Sequence, residues 1–106
     1  MIFGPDAVTA FVDVLKPLVL AERQAESIET HDAYLRFREG QKSLNDSVLG
    51  TVRAMVAQIP DVDRDDMQEL YDVLLDHPDL AATVSDRAVT GAILNEAWGG
   101  LHGWTK

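Results

Sequence analysis

Apolar residues recur at helical spacing through almost the whole chain, and this spacing constrains the fold more than any other feature. Near the N-terminus, the apolar residues separated by short helical steps are Val8, Phe11, Val12, Leu15, Leu18 and Val19. Such steps place them on one face of a helix. No stretch shows the alternation of a half-buried strand. We therefore predict an all-α protein, a compact bundle or irregular array of four to five helices.

Proline and glycine mark the predicted ends and weak points of the first two helices. The first helix is predicted to open at Pro5, since proline suits the first helical position. It is predicted to kink or break just before Pro17, which offers no N–H to the preceding turn. A second helical region is predicted over about 30–58, as one helix or two, because Gly40 and Gly50 are poor helix formers. The two regions are predicted to pack as an antiparallel pair.

The rest of the chain is predicted to form two further helices and a tail. One helix is expected over about 63–77. The next is expected to begin at Asp79 or Asp86, with Ser85 or Asp86 as its cap, and to end at Trp98. The glycine pair that follows is a natural helix stop. We predict a single domain, residues 1–106, with a Gly/Trp-rich C-terminal tail at 99–106.

Composition excludes several classes of function. The chain has 106 residues, 46% of them hydrophobic, and no cysteine, which removes disulfides, thiol catalysis and Cys-ligated metals. Its net charge is −9, and residues 59–106 contribute −7 of it. That half repels phosphate backbones and lipid headgroups, so we expect basic protein partners, no membrane and little affinity for nucleic acid. The expected compartment is the cytoplasm.

The segment PDVDRDDMQELYD has two interpretations. The acids that fall at the ligand positions of a calcium-binding EF-hand loop are Asp61, Asp63, Asp65, Glu69 and Asp72. However, Asp66 stands where the loop needs a turning glycine, and Asp72 is shorter than the usual bidentate glutamate. The favoured interpretation is a helix start, with Asp63 as N-cap and Asp66 completing a capping box.

Two candidate contact surfaces remain for a partner. The first is a carboxylate stripe on the third helix, where helical geometry places four acids within about 60° of one another. Its members are Asp65, Glu69, Asp72 and Asp76. The second is the aromatic tail of Trp98, Leu101 and Trp104, which either fills the core or anchors another subunit. The stripe alternatively serves only as a solvated face.

Residues 70–97 resemble the turn and recognition helix of helix-turn-helix repressors. The resemblance rests on Val84-Ser85, Ala88-Val89-Thr90 and Leu94-Asn95. The sequence departs from the pattern, since Thr83 replaces the turn glycine and Pro78 falls in the first helix. Only Arg87, Thr90 and Asn95 would face bases.

No catalytic motif, phosphate-binding loop or metal-ligand spacing is present, so we expect no enzyme activity, no cofactor and no metal. The leading prediction is a non-enzymatic protein–protein interaction module: an assembly, adaptor or accessory subunit, with a homo-oligomer as one form. The first alternative is an acidic inhibitor, a decoy that occupies a basic nucleic-acid-binding surface. The second is the helix-turn-helix regulator.

Overall fold

The part of the chain that the structure describes consists of helices and the short connections between them. The computed structural model describes the backbone of residues 2–102 and the side chains of residues 2–98. The helices are α1 (Pro5–Glu26), α2 (His31–Ala57), α3 (Arg64–Leu74), α4 (Pro78–Ala81) and α5 (Val84–His102). Residues 2–102 contain no strand. The predicted all-α array of four to five helices is therefore confirmed.

Helix α1 continues through Pro17 as one helix, so the predicted break is wrong, and the kink that was its alternative stays a prediction. The residues on either side of the proline explain this result. Leu15, Leu18 and Val19 are all at most 2% exposed. Burial of each large aliphatic side chain contributes about 1.5–3 kcal/mol. The three together outweigh the cost of a proline inside a helix, which is about 3 kcal/mol. The proline ring itself lies on the exposed face.

Helix α2 is a single helix of 27 residues, so both glycines lie in its interior. The Thr30 hydroxyl caps it by accepting a hydrogen bond from the Ala33 amide at 3.3 Å. A four-residue connection, 27–30, turns the chain back, which makes α1 and α2 the predicted antiparallel pair. Helix α2 is about 40 Å long, which accounts for most of the 45 Å long axis of the protein.

We expect Gly50→Ala to raise the free energy of unfolding by about 1 kcal/mol, because alanine is the better helix former by that amount. A Cβ atom built at Gly50 meets nothing within 4 Å. The melting temperature should therefore rise by about 4–8 °C. Thermal unfolding followed by circular dichroism at low micromolar concentration measures the change. A lower melting temperature would contradict the prediction.

The ends of the last three helices differ from the predicted boundaries. Helix α3 ends at Leu74 rather than His77, because the residue before a proline avoids helical dihedrals. The predicted fourth helix is divided into a single turn, α4, and the long α5. The predicted stop after Trp98 is wrong, since α5 continues to His102. Each glycine costs about 1 kcal/mol in a helix, a penalty that weakens the helix without ending it.

The core gathers around α1, which contacts each of the other four helices. The largest side chains that are fully buried are Phe3, Phe11, Leu15, Leu18, Met67, Leu70, Leu74, Leu80 and Leu94. The residues of helix α2 that are buried in this core are Val48, Val52 and Val56, all in its C-terminal half. From Glu26 to Ser47 no residue is buried, and we call this segment the tip.

Candidate functional site

The start of α3 is built by the predicted capping box. The Asp66 amide donates to Asp63 Oδ1 at 2.8 Å, and the Asp63 amide donates to Asp66 Oδ2 at 3.0 Å. Each carboxylate thus satisfies one backbone N–H at the helix start. The calcium-loop alternative does not hold, because residues 64–74 form a helix instead of wrapping around an ion.

The position of α3 on the core fixes which of its faces meets solvent. Met67, Leu70 and Leu74 are each 0% exposed. Tyr71, half-buried beside them, donates its hydroxyl hydrogen to the Arg87 carbonyl at 3.3 Å. With the inner face held in this way, the residues of the opposite face have no rotational freedom to turn inward. The orientation of the carboxylate stripe therefore follows from the packing of α3.

All four residues of the predicted stripe are exposed: Asp65, Glu69 and Asp72 lie on that outer face of α3, and Asp76 lies in the turn that follows the end of the helix at Leu74. We call this surface the acidic face. Its part within α3, from Asp65 to Asp72, extends about 10 Å along the helix axis. Asp72 accepts a hydrogen bond from the Gln68 side-chain amide at 3.0 Å, which orients its carboxylate along the helix. Between residues 54 and 86, Arg64 is the one Lys or Arg residue. The face is therefore strongly negative.

The structure places Trp98, the first residue of the predicted aromatic tail, within the core. Its side chain is 6% exposed, and its indole Nε1 donates to the Val62 carbonyl at 3.3 Å. This position corresponds to the core-filling alternative for the tail and leaves little indole surface for a partner. The side chain of Leu101 and all of Trp104 lie outside the described residues, so their predicted contacts stay predictions.

An ion pair between α1 and α5 was not predicted from the sequence. The Arg23 guanidinium donates to both oxygens of Asp86, with Nη2 at 2.7 Å from Oδ2. The Asp86 side chain is 0% exposed. Hydrogen bonding by Arg23 holds the pKa of Asp86 below its ordinary value, and it overcomes the opposing effect of desolvation. The pair fastens the start of α5 to the end of α1.

Asp86 also completes the cap of α5. Its Oδ2 accepts from the Thr83 amide at 3.2 Å, and its own amide donates to the Thr83 hydroxyl at 3.0 Å. The N-cap is therefore Thr83, and the predicted cap at Ser85 or Asp86 is wrong. The spacing Thr-x-x-Asp is a capping-box signal, so this cap was readable from the sequence.

A second polar cluster joins α1 to the tip. Glu22 binds the Arg38 guanidinium through two contacts of 2.6 Å, one to each carboxylate oxygen. Arg38 also donates to Tyr34 and Gln41, both at 2.9 Å. Hydrogen bonding by Arg38 lowers the pKa of Glu22, and the same pair raises the pKa of Arg38. These groups bind one another, so we assign the cluster a structural role.

The helix-turn-helix resemblance is only partly matched by the geometry. Its first helix corresponds to α4, which has four residues. Thr90 is 0% exposed and faces the Leu80 carbonyl, whereas Arg87 is exposed. A buried Thr90 has no access to a base edge.

The described residues offer neither a cluster of potential metal ligands nor a membrane-spanning helix. No group of three or more His, Asp or Glu side chains in this part of the chain is arranged to hold a metal ion. None of the described helices combines the length and apolar character needed to cross a bilayer.

Comparison with family models, curated proteins and solved structures finds no match for this chain.

Proposed function

We propose that this protein is a non-enzymatic interaction module of the cytoplasm that docks on a basic surface of another protein through its acidic face. The observation that carries the proposal is the exposure of Asp65, Glu69 and Asp72 on one side of α3, with Asp76 exposed in the turn that follows it. The core residues beneath them hold the helix in one orientation. A partner therefore meets a helix whose acidic side is already turned to solvent, which lowers the entropy cost of binding.

A protein is the favoured partner class because the half of the chain that contains the acidic face is strongly acidic. The half of the chain that contains it carries a net charge of −7. Affinity for nucleic acid draws heavily on the neutralisation of phosphates by Lys and Arg, and this half offers only three such residues. Arginine and lysine side chains on another protein are the complementary groups. Leu101 and Trp104 remain a predicted second contact, for an apolar groove.

The test compares two triple variants that change the same formal charge at different places. Each takes the formal net charge from −9 to −6. The face variant is Asp65→Asn, Asp72→Asn, Asp76→Asn. The control variant removes exposed carboxylates of α1 and the following connection, as Asp13→Asn, Glu26→Gln, Glu29→Gln. Wild type and both variants are immobilised, exposed to an extract of the source cells, and the captured proteins are quantified and then purified for titration.

The proposal requires a protein that binds wild type and control alike and binds the face variant about 10–100-fold more weakly. That factor corresponds to about 0.5–1 kcal/mol for each exposed charge pair. Equal retention on both variants would overturn the acidic face as the docking surface. Equal loss from both would also overturn it, because net charge alone would then explain the binding.

The decoy function is a second candidate, favoured by the regular spacing of the carboxylates along one side of α3. Asp65, Glu69 and Asp72 are four and three residues apart in α3, which places neighbouring Cβ atoms about 5–6 Å from one another. Such a row can stand in for the phosphates of a nucleic acid strand. If the purified partner binds DNA or RNA, a short duplex should displace this protein from it competitively. Simultaneous binding of both ligands would exclude the decoy.

A further inference from the structure

The outer face of α2, opposite the core, is formed almost entirely by small residues. Between Ala33 and Ala57, the residues along it are Ala33, Arg36, Gly40, Ser43, Ser47, Gly50, Ala54 and Ala57. They follow alternating steps of three and four, which is the heptad spacing of a helix-pairing seam. All are exposed except Ala33, which is half-buried. The buried residues Val48, Val52 and Val56 lie on the other side of the helix.

The two glycines on this face have no role in contacts within the chain. A Cβ atom at Gly40 or at Gly50 would meet nothing within 4 Å. Each glycine nevertheless makes the helix less stable than alanine would. Their positions allow another backbone to approach closely at two points on α2, as small residues do where helices pair tightly.

The outer face is complementary to its own copy in the antiparallel direction. When a second α2 lies antiparallel with a two-fold axis near residue 45, Gly40 faces Gly50 and Ser43 faces Ser47. Ala33 then faces Ala57 at either end. Arg36 alone departs from the symmetry, and it meets the small Ala54, over which its long chain can extend into solvent. A two-fold interface requires this kind of self-complementarity.

Residues that flank the outer face on its two edges also meet one another across the interface in this antiparallel register. In an antiparallel pair, residues that flank the seam on one edge meet their equivalents on the partner helix. Glu39 then meets Arg53 of the partner subunit, and the symmetry makes this pair twice. On the other edge, Leu44 meets its own copy near the axis. Phe37 and Leu44 are half-buried there and line a groove of about 370 Å³ between α1 and α2.

We propose that two copies of this chain associate through the outer face of α2, as an antiparallel two-fold pair. This inference concerns a surface separate from the acidic face and does not depend on the proposed function. A second copy is the occupant because opposite charges, glycines and apolar edge residues all coincide in one register. The parallel arrangement lacks this match, since Glu39 would meet Leu44 and Arg53 would meet Gln58.

The same register contains one unfavourable contact. Asp46 flanks the seam on the edge of Glu39 and meets its own copy near the two-fold axis. Like charges at that distance oppose association. The small residues also bury little area, which places the interface at the low end of the size range for specific complexes. We therefore expect a dissociation constant on the order of 10 µM.

The test measures native mass by sedimentation equilibrium from about 1 to 500 µM, a range that brackets that value. Wild type should move from 11.7 kDa to twice that mass. Glu39→Arg and Arg53→Glu should each weaken association at least about tenfold, because each turns both attractive pairs into repulsive ones. Controls with the same charge changes on other helices, Glu26→Arg and Arg87→Glu, should dimerise like wild type.

Mixing separates a true contact between subunits from a general effect of charge. An equimolar mixture of Glu39→Arg and Arg53→Glu should form a heterodimer, because the arginine introduced in one chain meets the glutamate introduced in the other. Asp46→Asn should strengthen the wild-type dimer. Within one helix, positions 39 and 53 are about 21 Å apart, so contact within one chain cannot restore association. A wild-type chain that stays monomeric at 500 µM would overturn the proposal, as would a mixture that fails to associate.

Discussion

Replacing Asp86 with alanine is expected to lower the free energy of unfolding by about 3 kcal/mol. The substitution removes the ion pair with Arg23 and the cap that Asp86 forms with Thr83. Breaking a buried ion pair costs about 3–5 kcal/mol. The lower end applies because the Arg23 side chain is 34% exposed and regains water once it is released. Urea denaturation at 25 °C and neutral pH measures the change.

Asp79→Asn is the matched control for this substitution. Asp79 pairs with Lys16 at 3.3 Å and, like Asp86, ties a residue near the start of a C-terminal helix to α1, but its side chain is 58% exposed. Ion pairs at the surface contribute about 0–1 kcal/mol, so the control should change stability by less than about 1 kcal/mol. Equal losses from both substitutions would show that the burial of Asp86 contributes nothing special.

Arg23→Met removes the other partner of the ion pair. The loss in the free energy of unfolding that it causes should depend on pH. In the wild type the pKa of Asp86 lies below its ordinary value, so the ion pair contributes fully above about pH 4 and is lost as pH falls through the lower folded pKa. Without Arg23 the buried carboxylate is left without its cation, and burial then raises its pKa. The variant should be much less stable than wild type at pH 7, and the difference should shrink on acidification.

Trp98→Ala is expected to lower the free energy of unfolding by about 3–5 kcal/mol, the range for removing a buried tryptophan or phenylalanine side chain. The indole is 6% exposed and belongs to the same core cluster as Leu94 and Leu70. Its loss leaves a cavity and leaves the Val62 carbonyl without the indole N–H. Because small domains are stable by about 5–15 kcal/mol, the loss is a large fraction of the total. Guanidinium denaturation provides the measurement.

Leu20→Ala is the control, because Leu20 is 46% exposed and its truncation should cost less than about 1 kcal/mol. The pair of variants also decides the role of Trp98. A stable Trp98→Ala protein that no longer binds its partner would identify the indole as an interface anchor and would contradict its place in the core.

Local patterns predicted well those features whose causes lie within a few residues. The start of α3 is one example, since the capping box of Asp63 and Asp66 occupies four consecutive positions. Its inner face followed from the same register. The exposure of the carboxylate stripe was then a consequence of the apolar residues on the other side. For this surface, the sequence contained nearly all the information.

Features that depend on distant residues were not predictable. Arg23 and Asp86 are 63 positions apart, and no spacing rule connects an exposed-looking arginine to one aspartate among many. Pro17 is a second example, in which a local sequence signal was visible but distant residues overruled it. Its effect on the backbone is local, but the packing that overcomes it comes from other helices. Burial of Thr90 likewise follows from the position of α4, which a motif comparison does not include.

The tip has a consequence for how the protein opens. Amide hydrogens exchange through local unfolding wherever a segment can separate from the core at low cost. From Glu26 to Ser47 no side chain is fully buried, and the half-buried Leu44 and the Glu22–Arg38 ion pair hold this segment to the rest of the protein. Exchange should therefore be faster at residues 31–44 than at 48–56 of the same continuous helix. One helix would then contain two thermodynamic units, with the boundary near Val48.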